Sequence, residues 1–405
     1  MSNSFAELGV SPALTKALDQ QGIREPFAIQ TLVVGDVLDG HDVLAKAPTG
    51  SGKTLAFAVP LIDRIDPSWP GPCTLVLAPT RELAVQIADA SRTLCQARGL
   101  RIAAVYGGAG IHRQAKLAGR AHVLVATPGR LLDLMGRGDV KLNNVRQLVL
   151  DEADRMLDMG FRPDVDRIVS ATRKERQTLF FSATLDGDTG RLAASYTHSP
   201  RRHEHVAPAE ARGRTEHRFV GVAHEAKLEA LITEIGGDSD ARTLVFVRTK
   251  RGADRLAKRL TGRGINVAAM HGNKSQAQRM KALASFEKGR IAALVATDVA
   301  ARGIDVDGIT RVINFDPPGD HQVYVHRVGR TARAGRSGVG VTLVTEPEAS
   351  DVAHMARKLD LFSEYAETGF AGHGRTHSKG GSQPARRGGG SRSGRRRRSA
   401  SSRRR

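Results

Sequence analysis

Lys53 and Thr54 close the run Ala47-Pro48-Thr49-Gly50-Ser51-Gly52-Lys53-Thr54, whose residue types suit the holding of a polyphosphate. Apolar residues Val43 to Ala45 precede it and Leu55 to Ile62 follow, so it reads as a glycine-rich loop between a strand and a helix. Gly50 and Gly52 let the backbone wrap close to an anion, while the loop amides and the helix N-terminus face it. Lys53 reaches the outer phosphates, and the Thr54 hydroxyl is a ligand for Mg²⁺. Ala47 stands where the stricter pattern has glycine. A plain glycine turn that opens a helix has the same outline, so a second motif must decide between the two.

Asp151-Glu152-Ala153-Asp154 follows the apolar run Leu148-Val149-Leu150. Acids after a strand often only open a helix, where the dipole favours them. Beside a phosphate loop they do more: Asp151 is placed to hold Mg²⁺, and Glu152 to orient or deprotonate an attacking water. Chemistry on a γ-phosphate also needs positive charge over the transferring oxygens, and an arginine from a separate element raises turnover by about 10³ to 10⁵ fold. His326-Arg327-Val328-Gly329-Arg330-Thr331-Ala332-Arg333 spaces its arginines three apart, as one helix face would carry them. They then complete the phosphate site from a second domain. A solvated basic face, or contact with RNA phosphates at Arg333 to Arg336, are the alternatives.

The elements that must position these residues repeat as strand, loop and helix. Thr74 to Leu77 leads to Pro79-Thr80-Arg81, Ile102 to Val105 to Gly107-Gly108, Val123 to Ala126 to Thr127-Pro128-Gly129-Arg130, and Thr178 to Phe181 to Ser182-Ala183-Thr184. Short apolar strands alternating with helices predict an α/β fold with a parallel sheet covered on both faces and a ligand crevice at the strands' carboxyl ends. Periodicity stops across Ser199 to Thr215 and resumes with strands expected at Thr243 to Val247, Asn266 to Met270, Ala292 to Ala296, Arg311 to Phe315 and Gly340 to Val344. The domains expected are 1–203 and 216–368, joined by a linker over 204–215 and followed by a disordered basic tail over 369–405. The second domain has no Gly-Lys-Thr loop, so one triphosphate serves both.

A chain of 405 residues suits two domains. Its two cysteines, Cys73 and Cys95, make no disulfide framework, and neither a leader nor a long apolar run is apparent, so a soluble, cytoplasmic protein is expected. The formal charge is +20, and from Ala371 onward there are twelve Lys or Arg and no acid, which leaves +8 on the preceding residues. Such a tail, rich in Gly, Ser and Arg, predicts a flexible tether for an anionic polymer, best a nucleic acid; a merely solubilising end is the bland alternative.

With these motifs collected, the chain from Phe5 to Leu359 resembles the DEAD-box RNA helicases, a family built from two tandem RecA-like domains. The resemblance implies an RNA-dependent ATPase that uses ATP and Mg²⁺ to unwind short RNA duplexes locally or remodel RNA-protein complexes, in ribosome assembly or RNA decay. It implies that Phe5 stacks on adenine and Gln30 reads its edge, that residues 47–54 bind the phosphates, and that Asp305 contacts the ribose. Asp151 and Glu152 are the metal and water-activating acids, and Arg330 and Arg333 the arginine fingers. Ser182 and Thr184 couple hydrolysis to unwinding. His326 and Arg327 organise the interface through hydrogen bonds to the first domain's acidic motif. RNA contacts are implied at Pro79, Thr80, Arg81, Gly107, Gly108, Thr127, Pro128, Gly129 and Arg130, and in the second domain at Thr249, Gln276, Arg279, Thr297 and Gly303. These residue types follow a sugar-phosphate track without reading bases.

The sequence differs from the family pattern at three places: Phe27-Ala28 stands for Thr-Pro, Pro48 for Gln or Glu, and Ala332 for a glycine. A left-handed backbone at position 332 would strain alanine and slow closure. The tail resembles the basic extensions of bacterial RhlE-type members. A processive DNA translocase of the same superfamily, and an ATP-gated RNA clamp or annealing protein, are the competing readings. Nothing in the sequence demands more than a monomer.

Overall fold

The structure, a computed structural model, describes residues 4–48, 50–205, 213–236, 242–301, 306, 308–332 and 336–370. They form two α/β domains, each around one all-parallel sheet. The first sheet comprises β1 (Val43–Lys46), β2 (Thr74–Leu77), β3 (Ile102–Val105), β4 (Val123–Ala126), β5 (Gln147–Leu150), β6 (Gln177–Ser182) and β7 (Arg201–Glu204), in the order β3-β4-β2-β5-β6-β1-β7. The second comprises β8 (Thr215–Gly221), β9 (Arg242–Phe246), β10 (Val267–Met270), β11 (Ala293–Ala296), β12 (Ile309–Asn314) and β13 (Gly338–Val344), in the order β10-β11-β9-β12-β13-β8.

Strands β2, β4, β5 and β6 are buried along their whole length, as near-continuous apolar runs between two layers of helix must be. One face of the first sheet packs Phe57 edge-on against Phe181 at 5.3 Å, with Ile29, Val33 and Leu61 around them; the other holds Leu124, Leu150, Ile168 and Phe180. In the second domain Phe219 and Tyr324 stack over one face, while Leu231, Leu256 and Val341 fill the other.

Register brings the motifs to one edge. Leu77 pairs with Leu150, Leu150 with Phe180, and Lys46 with Ser182, so the strands β2, β5, β6 and β1 end side by side. The loops that follow them therefore emerge together at the crevice edge of the sheet.

Two strands were not evident from apolar pattern. Arg201–Glu204 pairs with β1 as an edge, and Thr215–Gly221 pairs residue for residue with Gly338–Val344 at the other sheet's edge. Edge strands pair through backbone and keep one side open, so they tolerate charge and lose the apolar signature. They occupy both ends of the 204–215 stretch, whose residues 206–212 lie outside those described, as does the tail from 371. Cys73 and Cys95 are buried and unpaired, and among the described residues no helix is long and apolar enough to cross a membrane.

Candidate active site

Between β1 and the helix Lys53–Asp63, Gly50 and Gly52 adopt φ of 81° and 87°. Gly52 has a second reason to lack a side chain: a Cβ there would meet Gln30 Nε2 at 2.6 Å and Phe27 Cδ2 at 2.7 Å. Lys53 is buried, and its ammonium donates to the carbonyls of Ala47 (2.9 Å) and Pro48 (3.3 Å), with Ser51 Oγ also donating to Pro48 O (2.8 Å). The lysine thus lies within the loop it must share with a phosphate. Thr54 opens the helix beside it, and Thr49 lies outside the described residues.

The residues expected at the adenine are both buried. Phe5 is 3% exposed, packed into the core with Val10 and Leu14, so its ring is not presented to a base. Phe27 is 60% exposed against Gly52. Gln30 accepts from Phe27 N (2.9 Å) and donates to Gly52 O (2.9 Å), which ties it to the glycine-rich loop; it is 2% exposed, as buried as Phe5, and keeps one N–H and one lone pair unspent. Phe27 caps the helix Ala28–Leu38 without a side-chain hydrogen bond, whereas Thr there would supply one, worth about 0.5–2 kcal/mol.

At the end of β5 the two acids have opposite fates. Burial pushes the Asp151 carboxyl up to about 7, opposed by Lys53 and reinforced by Glu152. Glu152 is also penalised by burial, but Arg155, Lys53 and Arg330 together hold it below the usual range, and Arg155 binds its carboxylate directly. Glu152 takes a left-handed backbone, φ 50°, a strained conformation of the kind found at active sites. Asp151 has no ion-pair partner among the described residues; its buried carboxyl at the end of β5 and the Thr54 hydroxyl in the first turn of the helix after the loop are hard oxygen donors of the kind Mg²⁺ takes. Asp154 accepts from the backbone N–H of Ala183 (3.1 Å) and Thr184 (3.2 Å), and its own N–H donates to Ser182 Oγ (3.3 Å). The acidic motif and the Ser182-Ala183-Thr184 loop are one hydrogen-bonded unit.

A cavity of about 130 Å³ lies between the domains, lined by Lys53, Glu152 and Asp154 from one side and Asp298, His326 and Arg330 from the other. The helix His321–Val328 ends at Gly329, so Arg327 and Arg330 do not share one helical face as their spacing predicted. Arg327 is buried in its own domain, with Asp298 at 2.6 and 2.8 Å, Asn314 Oδ1 at 3.0 Å and the Asp316 carbonyl at 2.8 Å. Its guanidinium is committed there and does not bond the first domain's acids. His326 and Arg330 line the cavity beside it. Ala332 has φ 56°, the left-handed conformation that disfavours alanine, next to Arg333, which with Asp305 and Gly303 lies outside the described residues.

Several expected RNA contacts are engaged within the protein. Arg81 lies over Gly107 and Gly108, where a Cβ on Gly108 would meet its guanidinium. Thr80 caps the helix Arg81–Ala97 and Thr249 caps Lys250–Thr261, while Thr127 and Pro128 open Pro128–Gly136. Arg130 donates to Ala109 O (3.0 Å) and Gln114 Oε1 (2.7 Å). Pro79 and Thr297 are buried, and Gly129 is exposed. What remains toward the cleft is a set of helix N-termini at the strand ends, which offer backbone N–H groups to phosphates. Gln276 and Arg279 both reach across to Glu82, at 3.2 and 2.9 Å, and this acid is 2% exposed. Sequence reasoning missed Glu82, Arg155 and Asp298: each works through a partner whose position only the fold supplies.

The family model described as DEAD/DEAH box helicase matches residues 27–192, and the one described as Helicase conserved C-terminal domain matches 226–335. The chain is 42% identical over 356 residues to an ATP-dependent RNA helicase CshA of Limosilactobacillus reuteri, covering 88% of this chain and 71% of that protein. With the DEAD-box ATP-dependent RNA helicase CshA of Bacillus subtilis it shares 40% over 369 residues, 90% and 75% of the two chains. The structure of S. cerevisiae Dbp5 bound to RNA and ADP BeF3 superposes with a TM-score of 0.77 at 28% identity, over 90% of this chain and 94% of that one.

Two outcomes follow from the geometry. The raised Asp151 carboxyl binds its proton more tightly folded than unfolded, so ionising it destabilises the nucleotide-free protein increasingly from pH 4 to about 7. Asp151→Asn is expected to match the parent near pH 4 and to melt several degrees higher at pH 8, by calorimetry without nucleotide. Glu82→Gln leaves the Arg279 charge without its partner, a loss of about 3–5 kcal/mol for a buried pair. Small-angle scattering should then show a larger radius of gyration, with each domain's melting retained.

Proposed function

The chain belongs to the DEAD-box family of ATP-dependent RNA helicases, and from that membership we propose that its two domains complete one ATPase site when they close on RNA. The observation that carries the reading is the interdomain cavity, where Lys53 and Glu152 of the first domain meet Arg330 of the second. Residues 47–54 bind the phosphates, and Gln30 with the neighbouring Phe27 bounds the adenine. Thr54 and Asp151 hold Mg²⁺, which when bound neutralises charge on the phosphate oxygens.

Glu152 positions the attacking water. Its carboxylate stays ionised at neutral pH because of Arg155, Lys53 and Arg330, despite its burial. Arg330, and Arg333 by its place in the motif, stabilise the charge on the transferring phosphoryl group, and Asp305 takes the ribose. The bonded unit of Asp154, Ser182 and Thr184 passes the state of the acids to the loops that hold RNA. The RNA track runs from Arg81 with Gly107-Gly108 and the helix starting at Pro128 to Thr249 and the seam at Gln276 and Arg279. Unwinding is local, since the track holds one strand by its backbone. The protein acts in the cytoplasm as a monomer, in ribosome assembly or RNA decay, with the basic tail as a tether for RNA.

Steady-state ATP hydrolysis with single-stranded RNA, matched DNA or no nucleic acid tests this reading. RNA alone is expected to stimulate turnover, and Lys53→Ala to abolish it. Glu152→Gln should lose turnover while still holding RNA with an ATP analogue. Equal stimulation by DNA would indicate a translocase, and no stimulation by either a clamp.

A further inference from the structure

The helix Lys250–Thr261 turns an exposed face to solvent that carries Arg251, Arg255, Lys258 and Arg259. Its opposite face, Ala253, Leu256 and Leu260, is buried, so the cations have no packing reason to be there. None of the four has an acidic partner among the described residues. The helix's one acid, Asp254, is taken by His271 (3.0 Å) and Lys274 (2.8 Å), and nearby Glu229 by Arg263 (2.7 Å). Arg251, Arg255 and Arg259 follow one another at four-residue intervals, an arrangement in which like charges destabilise a helix. Lys258 and Arg259 lie in the last turn, where the helix dipole favours cations, but Arg251 and Arg255 have no such compensation, and a row of four cations without acidic partners suits an anionic ligand.

The position of the row identifies the ligand. Thr249, on the proposed RNA track, caps the helix, and Lys250 Nζ bonds Asn273 Oδ1 (3.2 Å) in the loop that leads to Gln276 and the Glu82 seam. From there the row runs about 12 Å along the helix axis, away from the cleft. Arg255 and Arg259 also rim a hollow of about 300 Å³ floored by Leu228, Leu256 and Phe315, but Glu225 and Asp316 line it too, so phosphates are gripped along the outer row of cations and not inside the hollow. The helix itself carries no aromatic residue, and the nearest, Phe315, lies in the floor of the hollow, so the row of cations grips phosphates without a stacking platform.

We propose that this face is a second RNA-backbone contact, which takes the phosphates of the strand segment leaving the cleft. The proposal rests on the functional reading above and adds a surface outside the ATPase machinery. It makes the second domain bind RNA longer than the cleft more tightly, without sequence preference.

The test compares the full chain with the variant R255A/K258A/R259A. Binding of a short RNA confined to the cleft and of a longer single strand is measured with an ATP analogue over a range of KCl. For the longer RNA, the slope of log affinity against log salt should become shallower by about 2, from about 0.7 per lost phosphate contact on a single strand. Affinity for the short RNA and its maximal stimulation of ATPase should be unchanged. The melting temperature should not fall, because alanine favours helix. The tail is present in both proteins, so it cancels. An unchanged slope, or equal weakening with both RNAs, in a parent that RNA stimulates would overturn this contact alone. An unchanged slope with weakened binding of polyglutamate would assign the face to acidic protein and likewise overturn it. A parent that RNA does not stimulate would overturn the functional reading and this contact with it.

Discussion

The structure turns on a shortage of positive charge around two buried acids. Asp151 and Glu152 are neighbours at the end of β5, both out of solvent, yet only Glu152 has enough cations nearby to keep its charge easily. Arg155 and Lys53 come from the same domain, and Arg330 comes from the other. A triphosphate placed here adds several negative charges to a site whose cations are partly committed, Lys53 to the loop carbonyls and Arg155 to Glu152. Low local dielectric makes each missing cation costly. On the proposed reading the first domain alone lacks the cation that Arg330 supplies, which makes closure part of the chemistry.

The rest of the fold serves that closure. Parallel strands in matched register bring the phosphate loop, the acids and the Ser182-Ala183-Thr184 loop to one edge of the first sheet. Across the cleft, Arg327 is spent on Asp298, Asn314 and Asp316, fixing the base of the helix beyond which Arg330 projects. Glu82, buried between Gln276 and Arg279, ties the domains at a second point, away from the phosphates. Ala332 holds a left-handed turn next to the arginines at a steric cost that glycine would avoid.

Much of this was legible in the residues. Glycine-rich loops, acids after apolar strands and small hydroxyl residues are demands of backbone geometry and phosphate chemistry, so type and spacing reveal them. Strands β7 and β8 were not, because edges pair by backbone and carry polar side chains. The spacing of Arg327 and Arg330 implied one helical face, but the helix stops at Gly329 and the two diverge. Phe5 gave no sign of burial and Phe27 none of exposure, since an aromatic suits a core or a base equally. Glu82 and Arg279 lie far apart in sequence, and no local pattern joins them.

The central claim is that Arg330 completes the site from the second domain. Single-turnover hydrolysis of ATP by Arg330→Lys, with saturating RNA and with nucleotide and RNA affinities measured alongside, tests it most directly. The account predicts affinities within a few fold of the parent and a hydrolysis rate lower by about 10³ fold or more, because a point charge does not reproduce the guanidinium fork. Hydrolysis at the parent rate with both ligands bound would contradict it.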